Sequence, residues 1–407
     1  MLGRIESFRK FIVAALTSKR SYGSLVVTGL SSISNFILSI VIARSGSVAE
    51  VASFAIGFAG FITISGISRA MVGEPSSARL LPIDSLRQGG QQVSCYGLIL
   101  AVVIFLLGLL TGQPYLMAVG ISGHAIALYD YSKLISTVFG NPQIAVITES
   151  IRAISIIGIA FIPTVNDKPF LIFVIWLLTM CVASLIGILI QRIRILPTVG
   201  HAEIPFKESI SYSFDYILGG GTSQAITFAL GAFASPAVNA SIRGAGTLFG
   251  PITMIATSVR ALLLTFLSRR LLAGSKFGPP IHVSLSLLIA AIPLLIVVNL
   301  LPNEWGHSLL GETWLVAKEV MPYLSIEVIS TMLTTIPFSG HRSLGAHKRV
   351  FKIRLSLALL RLPIIIGAGI HGGHMWAAIA MVTTSVLGLI VWWTSYTHLM
   401  KAHTVEG

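Results

Sequence analysis

Residues 94–111 read SCYGLILAVVIFLLGLLT, a run without a charged side chain. A helix of about 20 apolar residues crosses the hydrocarbon core of a bilayer, so this run is long enough to span a membrane. The rest of the chain has the same character. Of its 407 residues 54% are hydrophobic and 11% are charged, whereas soluble domains carry about 25% charged residues. The sequence therefore predicts an all-α polytopic membrane protein and excludes an ordinary water-soluble enzyme.

Reading outward from this run, we find about twelve apolar segments, separated by turn signals such as Gly140-Asn141-Pro142 and His371-Gly372-Gly373. The predicted spans of the first half are Tyr22–Ala43, Ala49–Val72, Ser94–Thr111, Tyr115–Phe139, Gln143–Pro163 and Pro169–Gln191. Those of the second half are Glu208–Ala234, Asn239–Leu267, His282–Leu301, Leu315–Pro337, Phe351–Ile370 and His374–Tyr396. Residues 1–20 are predicted to form an interfacial helix, because the apolar run Phe11–Leu16 is too short for a signal-peptide core.

Lys and Arg lie almost entirely on one predicted side of the membrane. Nineteen bases fall on the side of the N-terminus, and only Arg44 and Lys168 fall on the other. Because cytoplasmic loops are enriched in Lys and Arg, both termini are predicted to be cytoplasmic. The net charge of +13 is then mostly a topological signal that faces anionic lipid. No contiguous basic surface indicates a nucleic-acid partner, and Cys95 and Cys181 form neither a disulfide framework nor a metal-binding spacing.

An internal repeat divides the chain into two halves. Displacing the sequence by 192 residues aligns Gly29 with Gly221 and, after a one-residue gap, Arg69 with Arg260. An arginine in an apolar helix costs about 2.5–3.5 kcal/mol on insertion scales, so its repetition is informative. Six spans per half predict two six-helix bundles related by a pseudo-twofold axis along the membrane normal. The predicted domains are a bundle over 1–191, a cytoplasmic linker over 192–207 and a bundle over 208–407.

The opening helices of both halves resemble a known family. The runs GLSSISNF (29–36), FAIGF (54–58) and SRA (68–70), with GAG (244–246) and the Gly250-Pro251 pair before Arg260, are similar to polysaccharide flippases of the multidrug/oligosaccharidyl-lipid/polysaccharide exporter superfamily. The loop 44–47 departs from the family pattern, since it lacks the usual Leu-Gly pair.

This resemblance implies a transporter, not an enzyme, in the bacterial cytoplasmic membrane. It would flip a polyprenyl-diphosphate-linked oligosaccharide, a precursor of O-antigen, capsule or exopolysaccharide, from the inner to the outer leaflet by alternating access between the bundles. We expect no cofactor, a monomeric protein in contact with membrane lipid, and glycan-assembly proteins as possible partners.

Ionisable groups inside predicted spans are the candidate functional residues, because they are costly in a membrane. Arginine holds phosphate oxygens bidentately in a partly dry cavity. We therefore expect an inward-facing cavity in which basic side chains hold the diphosphate. The predicted substrate-binding residues are Arg69, Arg260, Arg152, Lys133, Arg361 and Asn35. No catalytic or metal-binding residue is predicted.

The intramembrane acids allow two interpretations. Asp130 and Glu149 each precede a base by three residues, Lys133 and Arg152, so each pair can neutralise itself on one helix face. Asp215 and Glu327 are lone carboxylates in the second half. They either titrate and couple transport to an ion or form fixed salt bridges with Arg361 or Arg260.

Other polar and flexible features have simpler interpretations. Arg243 and Lys318 lie near the predicted outer face and are expected to snorkel to the interface. The Gly219-Gly220-Gly221 run and prolines 251, 322 and 363 are candidate hinges or ordinary kinks. Ser53, Gly57 and Gly60 form a small-residue stripe that we interpret as helix packing.

Three alternative functions remain open. An ion-coupled drug or cation antiporter of the same superfamily would need an acidic or aromatic site in both halves. A membrane-embedded glycan polymerase or ligase would need acid, base or nucleophile groups and a sizeable outer loop, whereas the longest predicted one, Pro302–Trp314, is short. A non-transporting scaffold would share the fold. The chain contains no phosphate-binding loop signature for ATP.

Overall fold

The computed structural model describes residues 19–79, 81–138, 141–162, 167–199, 203–254 and 281–405. These residues are almost entirely helical, and no β-strand occurs among them. Seven of the described helices are long and apolar enough to cross a membrane. The predicted all-α membrane class is confirmed.

The first half is a series of long helices joined by short turns. Its helices are α1 (Lys19–Ser45), α2 (Val48–Ser68), α3 (Glu74–Ala78), α4 (Ile83–Thr111), α5 (Pro114–Val138), α6 (Pro142–Ala160) and α7 (Pro169–Gln191). A π-helical turn over Arg69–Gly73 joins α2 to α3 without a break. Local sequence explains several boundaries. At the start of α2, Ser47 and Glu50 form a capping box, and α4 ends at Gly112, whose φ is +65°.

The described helices of the second half are interrupted more often. Its helices are α8 (Phe206–Tyr216), α9 (Thr222–Phe233), α10 (Pro236–Leu248), α11 (Ile281–Asn299), α12 (Asn303–Leu310), α13 (Thr313–Ser343) and α14 (His347–Val405). The three-glycine run lies in a π-helical turn, Ile217–Gly221, that joins α8 to α9. The long α14 is two helices that meet at Gly373, where φ is +70° and ψ is −159°. The predicted break after Ile370 is therefore present.

Some predicted span boundaries are wrong. The third span was expected to begin at Ser94, but α4 begins at Ile83. The tenth continues to Ser343, beyond Pro337, and the loop predicted over Pro302–Trp314 contains α12. These extra turns are polar, so hydropathy does not reveal them. At the start of α4, two glycines allow close contact, since a Cβ on Gly90 would lie 2.2 Å from Ile193 of the linker.

The expected small-residue stripe on α2 does serve helix packing. A Cβ on Gly57 would lie 2.6 Å from the Cβ of Tyr115, and one on Gly60 would lie 2.7 Å from Leu116 Cδ1. The helices α2 and α5 therefore approach closely here. The rings of Phe54, Phe58, Phe173 and Trp176 form the core beside this contact.

The exposed side of α4 in the first half has the apolar character of a lipid-facing surface. Large apolar side chains on α4 are exposed rather than buried; they are Leu98, Ile99, Val102, Val103, Leu106, Leu107, Leu109 and Leu110. Such a band is stable only against hydrocarbon or another apolar surface. It fits the membrane span that α4 provides by length and hydropathy.

The two halves touch at both ends of the molecule. We call the end that holds residues 192–199 the linker end and the other the opposite end. At the opposite end, α10 packs on α2, and a Cβ on Gly311 would lie 2.8 Å from the carbonyl oxygens of Ala43 and Arg44. At the linker end, Arg79 Nε donates to Glu208 Oε2 at 3.0 Å, and Tyr216 Oη donates to the Ile62 carbonyl oxygen at 3.0 Å.

Candidate functional site

Five charged side chains and one amide of the first half form a continuous series, which we call the charge ladder: Arg69, Asp130, Lys133, Glu149, Arg152 and Asn35. The ladder begins in the π-helical turn after α2. Arg69 donates from Nε and Nη2 to the two carboxylate oxygens of Asp130, at 2.8 and 2.6 Å. Asp130 is also 3.5 Å from Lys133 Nζ. Its main partner is therefore an arginine on another helix, not the neighbour three residues along.

The ladder continues into the interior through Glu149. Lys133 Nζ donates to Glu149 Oε1 at 3.1 Å, and Arg152 Nη1 donates to Glu149 Oε2 at 2.8 Å. The side chains of Glu149 and Arg152 are 0% and 1% exposed. The predicted pairing of Glu149 with Arg152 is present, but it is one step of a longer series.

Aromatic rings enclose the guanidinium of Arg152. Its central carbon lies 5.1 Å from the ring centroids of both Tyr129 and Trp176, and Nη1 also donates to Tyr129 Oη at 3.2 Å. The remaining contact is to α1, where Nη2 donates to Asn35 Oδ1 at 3.2 Å. Arg152 is thus surrounded by protein, and among the described side chains of α1 Asn35 alone forms a hydrogen bond with it.

A cavity lies between the two halves next to Asn35. Side chains of α1, α2 and the α10 region line it, and its volume is about 390 Å³. Its wall combines polar groups, among them Thr28, Ser32 and Ser39, with apolar ones such as Phe36 and Met254. Of the predicted substrate-binding residues that the structure describes, Asn35 alone lines this cavity.

Arg243 supplies the cation of this cavity. Its guanidinium lies over the ring of Phe58, 3.9 Å from the centroid, and Nη2 donates to Ser39 Oγ at 2.6 Å. No carboxylate of the described residues forms a salt bridge with it. The expectation that Arg243 snorkels to the outer face is wrong, because α10 turns this side chain toward α1 and α2. A lone arginine among Gly244, Ala245 and Gly246, with no acid within one helical turn, was the signal that could have identified it.

The second half pairs its acids with arginines of its own. Arg361 Nη2 donates to Glu327 Oε1 at 2.8 Å, one of the two partners considered for Arg361. Asp215 contacts Arg342 at 3.2 Å and Arg354 as well. Both arginines belong to the nineteen bases that were predicted on the side of the N-terminus. Arg361 and Arg354 border a separate cavity of about 340 Å³ inside the second half. Arg361 therefore lies away from Asn35 and the cavity between the halves.

Arg260, which the sequence displacement aligns with Arg69, lies outside the described residues, as does most of the predicted interfacial segment 1–20. Lys318 is exposed at the opposite end, where its Nζ donates to Asn303 Oδ1 at 2.7 Å and lies over the ring of Trp314.

The fold matches solved structures of membrane transporters. The lipid II flippase MurJ in an inward closed conformation is similar over 91% of this chain and 87% of its own, with a TM-score of 0.70 and 13% identity. An inward-facing MATE family multidrug transporter of the MOP superfamily matches over 91% and 96%, with a TM-score of 0.64 and 12% identity. An outward-facing one matches over 94% of each chain, with a TM-score of 0.59 and 14% identity.

No protein-family model and no curated protein sequence matches the chain. At these identities the structural likeness is one of fold. The chain has the fold of MOP-superfamily transporters, and the superfamily resemblance seen in the sequence is confirmed at that level.

Proposed function

We propose that this protein flips a lipid-linked oligosaccharide whose headgroup is held through an anionic diphosphate. The observation that carries the proposal is Arg243, a cation without a carboxylate partner among the described residues, in the cavity between the halves. A guanidinium in such a place favours an anion, because its free N–H groups can fork onto phosphate oxygens. The two acids of the charge ladder do not pair with Arg243, since Asp130 is held by Arg69 and Glu149 by Arg152.

The position of the cavity suits a ligand with a lipid tail. Its wall is built from α1 on one side and from residues 243–254 on the other, so it lies at the seam between the halves. A headgroup bound there can keep its polyprenyl chain in the membrane while its phosphates meet Arg243 and the polar face of α1.

In an alternating-access mechanism, the contacts between the halves act as the closures of the two ends. In this proposal two six-helix bundles, related by the internal repeat, rock about the cavity. The contact of Arg79 with Glu208 closes the linker end, and the fit of Gly311 against α1 closes the opposite end. We place the linker end and both termini in the cytoplasm of a bacterial cell, because the basic residues are concentrated there.

Cation antiport is the second candidate, because MATE transporters share the fold. The chemistry of the cavity disfavours it. A cationic drug would meet Arg243, and the nearby acid Glu149 is fully buried and paired with two bases. A glycan polymerase or ligase is less consistent still, since the fold is that of transporters and the cavity presents an arginine and an amide rather than an acid–base pair.

Ligand binding by the purified full chain tests the proposal. Undecaprenyl diphosphate is the anionic probe, undecaprenol is its uncharged match, and tetraphenylphosphonium is the cationic probe. Arg243→Ala removes a charge-assisted hydrogen bond worth about 1.5–3 kcal/mol, so diphosphate binding should weaken roughly 10- to 100-fold. Arg243→Lys keeps the charge but not the fork and should be intermediate.

Lys318→Ala is the matched control, because it removes an exposed cation that does not line the cavity. It should bind the diphosphate as the wild type does. Preference of the wild type for tetraphenylphosphonium over the diphosphate, or an Arg243→Ala variant with unchanged diphosphate affinity, would reject the proposal.

A further inference from the structure

We infer that Arg152 acts on the substrate through Asn35, by turning the amide N–H donors of Asn35 toward the cavity, where they donate to phosphoryl oxygens. The inference rests on the proposed function. It makes Arg152 a positioning residue and Asn35 a specificity-determining one, in place of the direct substrate contact that the sequence suggested for Arg152.

The orientation of the Asn35 amide follows from hydrogen-bond chemistry. A guanidinium has only donors, so the atom of Asn35 that meets Arg152 Nη2 at 3.2 Å is the carbonyl oxygen Oδ1. The other terminal atom of the Asn35 amide is then the nitrogen Nδ2. No hydrogen-bond partner of Nδ2 occurs among the described residues, and Asn35 lines the cavity. Two N–H donors are therefore free for a ligand.

Arg152 itself is out of reach of that ligand. Its side chain is 1% exposed, and it lies between the rings of Tyr129 and Trp176. The cavity wall includes Asn35 but not Arg152. Any effect of Arg152 on a bound headgroup must pass through the groups that it holds.

The charge ladder explains why the orientation is fixed. Arg152 is tied to Glu149, Glu149 to Lys133, and Asp130 links Lys133 to Arg69. A buried guanidinium held in this way has no second position from which to release Oδ1. Without it, the amide can turn its oxygen to the cavity, where it would repel a phosphoryl oxygen instead of donating to it.

The Asn35 amide and the Arg243 guanidinium lie next to each other along α1. Ser39, one turn after Asn35, donates from Oγ to the main-chain carbonyl oxygen of Asn35 at 2.8 Å and accepts from Arg243 Nη2. The amide donors and the guanidinium thus reach the cavity from neighbouring positions. Together they form a donor pair that suits the several oxygens of a diphosphate.

The test is a double-mutant cycle on the affinity of the purified full chain for undecaprenyl diphosphate. One arm is Asn35→Ala. The other is Arg152→Gln combined with Glu149→Gln, so that no unpaired charge of this pair is left in the interior. Each arm should weaken binding roughly tenfold. The triple variant should bind about as well as either arm, because both arms remove the same oriented donor. Undecaprenol binding should stay unchanged throughout.

Asn35→Asp provides a second readout that a structural role would not move. Aspartate has the shape of asparagine and still accepts from Arg152, but it offers a carboxylate oxygen to the cavity in place of the N–H donors. It should weaken diphosphate binding at least as much as Asn35→Ala and leave undecaprenol binding unchanged. Tyr129→Phe, which removes one hydrogen bond from Arg152 without touching Asn35, is the control and should bind as the wild type does.

The outcomes separate the two claims. The role of Arg152 is overturned if the affinity losses of the two arms multiply in the triple variant, or if Asn35→Asp binds the diphosphate with wild-type affinity. This holds even where Arg243→Ala abolishes binding. If the Arg152 variant does not fold, Asn35→Asp alone decides. A wild-type protein that does not distinguish the diphosphate from undecaprenol overturns the proposed function and this inference together.

Discussion

At the scale of residues, the arginines of this chain occupy two distinct environments. Arg152 is buried and its two terminal nitrogens donate to Glu149, Tyr129 and Asn35. Arg243 faces a cavity and has no carboxylate partner among the described residues. Burial of an ion pair contributes little net stability, since desolvation offsets the attraction, but removal of one partner leaves a buried charge uncompensated. The two environments therefore predict different consequences of substitution: loss of stability in the ladder and loss of binding at the cavity.

The ladder makes a stability prediction. Glu149→Ala removes the carboxylate that holds both Lys133 and Arg152, so we expect a loss of about 3–5 kcal/mol in the free energy of unfolding. The measurement is unfolding of the purified protein by heat or denaturant in detergent.

Asp84→Ala is the matched control. Asp84 also pairs with an arginine, Arg87, but its side chain is 80% exposed, and exposed ion pairs contribute little. We expect almost no change in this variant. Equal stability of the two variants would show that the ladder is not an interdependent buried network.

Residue positions also show where sequence reasoning stops. The sequence identified Asn35 and Arg152 as candidate site residues, and it named Glu327 as one possible partner of Arg361. It predicted that Arg243 points to the membrane interface, whereas the side chain points toward α1 and α2. Hydropathy indicates the depth of a residue in the membrane but not the direction in which its side chain points. Arg342 and Arg354 were counted as topological charges, since their pairing with Asp215 depends on helix packing.

At the scale of elements, a close fit between the halves lies at the linker end, beside the contacts of Arg79 with Glu208 and of Tyr216 with Ile62. Gly66 on α2 faces Tyr216 at the end of α8, and a Cβ on Gly66 would lie 1.9 Å from the Tyr216 ring. Both helices change to π-helical turns within a few residues of this contact. Such turns interrupt the regular hydrogen-bond ladder and are frequent at functional sites.

This fit predicts the effect of one methyl group. Gly66→Ala should push the Tyr216 ring away and loosen the linker end, although alanine favours a helix by about 1 kcal/mol over glycine. In a background without Cys95 and Cys181, a Ser32→Cys probe in the cavity should then react several-fold faster with a membrane-impermeant thiol reagent from the linker side.

Gly158→Ala is the control for this experiment, since a Cβ on Gly158 has no neighbour within 4 Å. It should leave the labelling rate of the probe unchanged. Tyr216→Ala removes the ring that clashes with the new methyl group of Gly66→Ala, so the two helices should regain contact. The linker end should nevertheless stay open, because the ring that fills it is lost. Unaltered labelling in Gly66→Ala would show that this contact does not close the cavity.

Elements were predicted unevenly. Apolar spans such as Pro169–Gln191 coincide with α7 in the structure, because lipid selects for uninterrupted hydrophobic runs. The polar first turns of α4 and the short α12 were missed. Both are held by protein contacts, Gly90 against Ile193 and Gly306 against Trp314, and hydropathy carries no information on such contacts.

At the scale of the whole molecule, the fold explains how a chain rich in positive charge accommodates it in a membrane. The two acids of the ladder pair with its three bases, and Asp215 and Glu327 pair with arginines of the second half. Arg243, at the seam between the halves, has no carboxylate partner among the described residues, and in our proposal it binds the anionic ligand. An unpaired guanidinium inside the membrane costs free energy because it is poorly solvated, and a bound anion would offset that cost.

The most direct test is transport by the purified full chain in proteoliposomes, followed with a fluorescent undecaprenyl-diphosphate-linked oligosaccharide. The wild type should move the labelled lipid to the opposite leaflet, Lys318→Ala should do the same, and Arg243→Ala should slow the movement at least tenfold. Equal movement by wild type and Arg243→Ala, or movement of a lipophilic cation but not of the diphosphate lipid, would contradict the account.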